Sequence, residues 1–203
     1  MKKFLLLLAG VALFATSAMA QRYEKNIFGV RAGLNVANMS VNGVSPDSKI
    51  GFHVAGSYER LLTSSMPLYL ETGLQLTWKG CQIDDDHFTN KVNAAYLEIP
   101  IMVNYKFNIK NKVTLYPSLG FYYGLGIGGK IKTGDPKIDT FGKYTCKRSD
   151  FGMRMAATAL WKQFTFGLGY EFGFTDINKG FSDDNWAPEI KTGNFFISVG
   201  YNF

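Results

Sequence analysis

Thr192-Gly193-Asn194-Phe195-Phe196-Ile197-Ser198-Val199-Gly200-Tyr201-Asn202-Phe203 alternates in polarity almost residue by residue. Phe195, Ile197, Val199, Tyr201 and Phe203 fall on one face. Asn194, Ser198, Gly200 and Asn202 fall on the other, with Phe196 the one apolar exception. Side chains of a strand repeat every two residues, so these faces are opposite. The stretch reads as a β-strand with one continuous apolar side, and the chain stops on an aromatic.

Working back from that strand, seven more segments carry the same period. They run over about 28–36, 50–60, 68–79, 95–107, 113–127, 149–161 and 164–175. In the first, Phe28, Val30, Ala32, Leu34 and Val36 oppose Gly29, Arg31, Gly33 and Asn35. In the seventh, Phe164, Phe166, Leu168, Tyr170, Phe172 and Phe174 oppose Thr165, Gly167, Gly169, Glu171 and Gly173. Eight alternating segments of about ten residues are the mark of a transmembrane β-barrel. Pro100 is a soft spot, because proline lacks a ladder donor and central strands usually exclude it.

The connections also alternate. Residues 37–49, 80–94, 128–148 and 176–191 are long and polar, whereas 61–67, 108–112 and 162–163 are short. A barrel with long loops outside and short turns in the periplasm gives that rhythm, and an even strand count puts both termini at the periplasmic end.

The N-terminus points to export. Met1-Lys2-Lys3, an apolar stretch from Phe4 to Phe14 and Ala18-Met19-Ala20 read as a signal peptide over 1–20, leaving a barrel domain over 21–203. Removing Lys2 and Lys3 leaves 20 basic residues against 16 acids, a net charge of +4. That small excess is spread along the chain, without the basic block that binds nucleic acid.

A soluble eight-stranded barrel would turn its apolar face inward around a ligand. Here the second face mixes glycines with Arg31, His53, Glu59, Glu71, Glu98, Lys106, Arg154 and Glu171. That mixture suits a narrow polar interior, and the apolar face then meets lipid. The fold class is therefore all-β: an eight-stranded antiparallel outer-membrane barrel. The eight polar residues should pair, because an unpaired buried charge is costly. Arg31 is expected within reach of acids from the second and seventh segments. Glu71 and Glu98, on adjacent strands, are expected to share Arg31 or Arg154 as their cation.

The terminal strand resembles the closing strand of Gram-negative outer-membrane barrels. That resemblance implies that Tyr201 and Phe203 are read by the barrel assembly machinery. Phe28-Gly29-Val30-Arg31-Ala32-Gly33-Leu34-Asn35 resembles the opening strand of the small PorT-like outer-membrane β-barrel family, and Tyr96-Leu97-Glu98-Ile99-Pro100-Ile101 resembles its central strand. The resemblance implies a fold and a compartment, and leaves activity open.

Candidate chemistry is thin. His53 lies on the lumen face and His87 in the second long connection. Ser57 shares a face with His53 and Glu59, but four residues of strand separate it from His53 by about 13 Å, too far for a catalytic pair. Asp84-Asp85-Asp86-His87, and Asp183-Asp184 with Glu189, read as solvated acidic loops without calcium-loop spacing. Cys81 and Cys146 fall at the outer rim. Export permits a disulfide, which would have to cross the barrel mouth; two independently buried thiols are the alternative. No catalytic residue, metal or cofactor is expected. The leading expectation is a non-enzymatic structural or surface-interaction barrel acting through four outer loops. Its expected partners are outer-membrane lipid, lipopolysaccharide, the assembly machinery and an unidentified envelope protein. The alternative is a small pore or an accessory barrel of a transport or secretion complex.

Overall fold

A computed structural model of the protein describes residues 24–41, 47–85, 88–109, 112–132, 138–142, 145–178 and 190–203. The proposed signal peptide, His87, Asp86, Asp183, Asp184 and Glu189 lie outside them.

Among the described residues, alternation of β-branched and aromatic residues with small or polar ones produces ten strands. They are β1 (Asn26–Val41), β2 (Asp47–Leu61), β3 (Leu68–Asp85), β4 (Phe88–Tyr105), β5 (Phe107–Ile109), β6 (Val113–Lys132), β7 (Ile138–Asp139), β8 (Ser149–Trp161), β9 (Phe164–Gly173) and β10 (Ile190–Asn202). β5 continues β4 past Lys106, and β7 is a two-residue addition to β6. The eight long strands pair antiparallel in chain order. β1 pairs with β10 and β4 with β6, so the sheet closes on itself.

The register fixes the barrel's dimensions. Phe28, Tyr58, Thr72, Ile101, Phe121, Met153, Phe172, Gly193 and Asn38 are successive partners around the ring. The circuit leaves β1 at residue 28 and returns to it at residue 38, a stagger of ten residues. With eight strands about 4.8 Å apart and about 3.3 Å of rise per residue, that stagger tilts the strands by roughly 40° and sets a backbone radius of about 8 Å. Side chains from opposite walls meet in such a space.

The faces divide as the alternation implies. Val30, Leu34, Phe52, Leu74, Ile101, Phe121, Phe166 and Val199 project outward and are roughly half exposed. Asn35, His53, Glu59, Glu71, Lys79, Glu98, Arg154 and Glu171 project inward and are buried. An apolar exterior around a polar interior is stable in hydrocarbon, where closed strands leave no unpaired backbone edge.

Three local features differ from, or add to, the pattern in the sequence. Strands run beyond the apolar alternation: the connection expected over 80–94 is mostly a β-ribbon, paired from Gly80–Asn93 to Asp85–Phe88. Polar residues end the outward apolar pattern there, but the backbone ladder continues. Pro100 sits within β4, inward and buried, opposite Tyr122 of β6. On its other side the ladder steps from Thr72–Ile101 to Gln75–Glu98, where the missing N–H leaves a gap. The end carrying the longer connections is capped. Phe141 packs edge-on against Tyr96 at 5.4 Å, and Cys146 bridges to Asn178. Gly126 admits the cap, because a Cβ there would lie 2.3 Å from the Phe141 ring.

Candidate functional site

The lumen holds the protein's concentrated chemistry. It is built from inward positions of every long strand and divides into two clusters.

The cluster nearer the short turns centres on Glu59. Its carboxylate lies 2.6 Å from Lys106 Nζ and 3.4 Å from Arg31 Nη2. Arg31 also pairs with Glu71, whose second oxygen accepts a bond from Asn104 Nδ2 at 2.6 Å. The Lys106 ammonium lies over Tyr69 at 4.3 Å and Tyr116 at 5.1 Å. These rings present their negative faces to a cation with little access to water.

The cluster nearer the cap centres on Lys79 and Glu171. Lys79 Nζ lies 2.6 Å from Glu98 Oε1 and 2.7 Å from Glu171 Oε2, joining β3, β4 and β9 across the interior. Arg154 Nη1 lies 3.3 Å from Glu171 Oε1, and Nη2 donates to Gln75 Oε1 at 3.0 Å. Gln75 Nε2 donates to Glu98 Oε2 at 2.9 Å, and Asn194 Nδ2 to Glu171 Oε2 at 2.8 Å. Asp150 accepts from Thr192 at 2.9 Å and from Tyr122 at 3.3 Å. Phe196, the apolar exception in β10, turns inward beneath the Arg154 guanidinium at 4.4 Å.

Three pairings differ from those expected. Arg31 reaches acids of the second and third segments, not the second and seventh. Among the described residues no cation is ion-paired with both Glu71 and Glu98, because Lys79 takes Glu98 while Arg31 takes Glu71. The expected Arg154 is near enough for its charge to act on both without pairing directly with either. His53 joins neither cluster: its Nδ1 lies 2.7 Å from Asn35 Oδ1, which in turn fixes Nδ1 as the protonated nitrogen. Lys79, Gln75 and Asp150 lay on the expected polar faces but were not included in the network.

A small cavity lies between the clusters. It measures about 40 Å³ and is lined by Arg31, Glu71, Gln75, Arg154, Phe196 and Ser198 among others. That is room for about one water molecule.

At the mouth, Cys81 and Cys146 are free and buried, and the possible disulfide is not formed. Each thiol has its own apolar surroundings: Cys81 packs against Ile177, and Cys146 against Ala94, Tyr96 and Phe141. Tyr201 and Phe203 face outward beside Phe164, the three rings touching edge-on at 5.3 and 5.4 Å.

A closed eight-stranded barrel with an apolar exterior and a filled, ion-paired lumen is the form of a small outer-membrane barrel. The sequence profile of the outer membrane protein β-barrel domain matches residues 19–179, and the chain belongs to that family. No protein of curated function matches the sequence. Among solved structures it is similar to Neisserial surface protein A, with 16% identity over 87% of this chain and 97% of that one, at a TM-score of 0.51. It is also similar to OprG from Pseudomonas aeruginosa, with 12% identity over 89% of this chain and 97% of that one, at 0.51. A major outer membrane protein from Thermus thermophilus gives 16% identity over 89% and 100%, at 0.50. At these identities the likeness is one of fold.

Proposed function

We propose that this protein is a non-enzymatic outer-membrane barrel of the PorT-like type that acts through its surface, with the capped end outside the cell and both termini in the periplasm. The observation that carries this reading is the lumen. Four cations and five acids are interlocked within it, and a space for about one water separates the clusters. Eight strands enclose only enough room for side chains, and here those side chains are tied to one another. Opening a path would expose buried charges without partners, so solute passage is disfavoured. His53 is buried and engaged by Asn35, on the lumen side of β2. What remains available to other molecules is the capped end and the flank of the barrel.

Two measurements test this. Purified protein in planar bilayers should give no steady single-channel current; reproducible ohmic channels would replace this reading with the transport alternative. In intact cells a membrane-impermeant maleimide should label Lys147→Cys, at the capped end, and leave Ser65→Cys, in a short turn, unlabelled. The reverse pattern would overturn the orientation.

A further inference from the structure

Three lysines converge where the apolar belt ends on one flank. Lys91 of β4 stands directly opposite Lys132 of β6. Like charges in that position destabilise an antiparallel pair. Lys49, at the start of β2, reaches across β3 to bond the Asn93 side chain, two residues from Lys91 on the same face of β4. Gly80 of β3 lies under this reach; a Cβ there would lie 3.1 Å from the Lys49 stem.

Among the described residues, none of the three lysines forms an ion pair. The acids nearest by register are Asp84, two residues along β3 from Gln82, which stands opposite Lys91; Asp47, opposite Gln82 on its other side; and Asp139, opposite Lys130. Asp139 therefore faces the fourth lysine of this flank. Burial, then the ammonium groups of Lys91 and Lys132, hold the Lys49 pKa below the ordinary lysine value.

The depth of the cluster is marked by its neighbours. Phe52 and Trp78 stack on the outer surface with ring centroids 4.1 Å apart. Trp78 pairs with Ala95, two residues along β4 from Asn93 and four from Lys91. Such rings occupy the level where hydrocarbon meets headgroups. The lysines lie just beyond them, at the depth of lipid phosphates.

We propose that Lys49, Lys91 and Lys132, with the Asn93 amide between them, form a binding site for the phosphate groups of an outer-leaflet glycolipid, whose apolar portion lies against Phe52 and Trp78. Ammonium groups donate charge-assisted hydrogen bonds to phosphate. The bound anion relieves the Lys91–Lys132 repulsion. This inference rests on the orientation given above, since only then do the lysines meet the outer leaflet.

The test uses the full barrel in neutral detergent, titrated with diphosphoryl lipid A and, separately, with inorganic phosphate. Binding is followed by native mass spectrometry and calorimetry. Wild-type protein should bind one lipid A. The triple Lys→Gln variant at 49, 91 and 132 should bind it roughly a hundredfold more weakly, since each lysine near an anionic surface is worth about fivefold. Inorganic phosphate should bind the two proteins equally weakly. Unchanged lipid A affinity in the triple variant overturns the site. Phosphate binding as tight as lipid A makes it an ion site and overturns the lipid assignment. Retention of the gel shift on boiling verifies that the variant is folded. If it does not fold, Lys91→Gln alone carries the same test with about a fivefold loss. Cell-surface labelling reads the orientation independently, so failure of the site and failure of the orientation are distinguishable.

Discussion

Replacing Lys79 with Met isolates the network's central cation. Its Nζ lies 2.6 Å from Glu98 and 2.7 Å from Glu171, and all three side chains are at most 2% exposed. Glu171 would keep Arg154 at 3.3 Å and the Asn194 amide at 2.8 Å. Among the described residues Glu98 would keep one direct partner, the Gln75 amide at 2.9 Å, and the more distant Arg154 charge. The damage therefore falls on Glu98. Removing one partner of a buried pair costs about 3–5 kcal/mol, because the other charge is left uncompensated. Methionine retains the packing of the lysine stem, which puts Lys79→Met near the lower figure. For a domain of this size about 3 kcal/mol lowers the midpoint of thermal unfolding by roughly 10 °C. The second arm is Lys79→Met with Glu98→Gln. It removes the orphaned charge and should recover most of the loss, leaving about 1 kcal/mol for the altered hydrogen bonds. The readout is the temperature at which the fast-migrating folded band disappears in one fixed detergent. A single mutant within about 2 °C of wild type would refute the reasoning, since that corresponds to less than about 1 kcal/mol. So would a double mutant no more stable than Lys79→Met.

Two glycines should respond oppositely to alanine. At Gly33 a Cβ would lie 1.9 Å from the Ile197 carbonyl and 2.6 Å from the His53 ring, so Gly33→Ala should cost at least about 2 kcal/mol in the same assay. At Gly56 a Cβ meets nothing within 4 Å, so Gly56→Ala should be neutral. Replacing both Tyr201 and Phe203 with Ser removes two lipid-facing rings from the closing strand and should lower the yield of membrane-inserted barrel, measured by the gel shift and by resistance to periplasmic protease. At Asp176, burial raises the carboxyl pKa, but the Ile190 and Asn178 amides and Lys147 outweigh it and bring it below the ordinary 3.8. A depressed folded pKa gives stability that is full above 3.8 and lost as pH falls through the folded value. Exchange of the Ile190 amide should therefore show extra opening as pH falls below 3.8 that Asp176→Asn already shows near neutral pH.

The faces of the barrel were legible because lipid imposes a strict period of two. Phe166 and Leu168 point out, and Glu171 points in, by position alone. Which charges pair was not legible. Lys79 meets Glu171 across the lumen, from β3 to β9, and that contact depends on the ten-residue stagger, which the spacing along one strand does not contain. Neighbouring strands suggested a shared cation for Glu71 and Glu98; the tilt instead separates them into different clusters. The ends of the strands were hidden for a different reason. From Gly80 to Asp84 hydrophobicity still alternates, but the apolar residues Cys81 and Ile83 now take the parity of Glu71, Gln75 and Lys79. The lipid-facing pattern therefore ends, while backbone hydrogen bonds, which leave no trace in composition, carry the ribbon onward.

The lumen network also acts as a proofreader of assembly. If one strand slipped by a single residue, its glutamates and lysines would turn into hydrocarbon and its aromatics into the core. A slip of two would keep every face correct, and hydrophobicity alone could not detect it. It would, however, carry Lys79 about 6–7 Å away from both Glu98 and Glu171. Strands from opposite walls must agree on one alignment before the charges are all satisfied. A barrel whose outer surface tolerates many apolar side chains thus holds, in its interior, a record of the single correct closure.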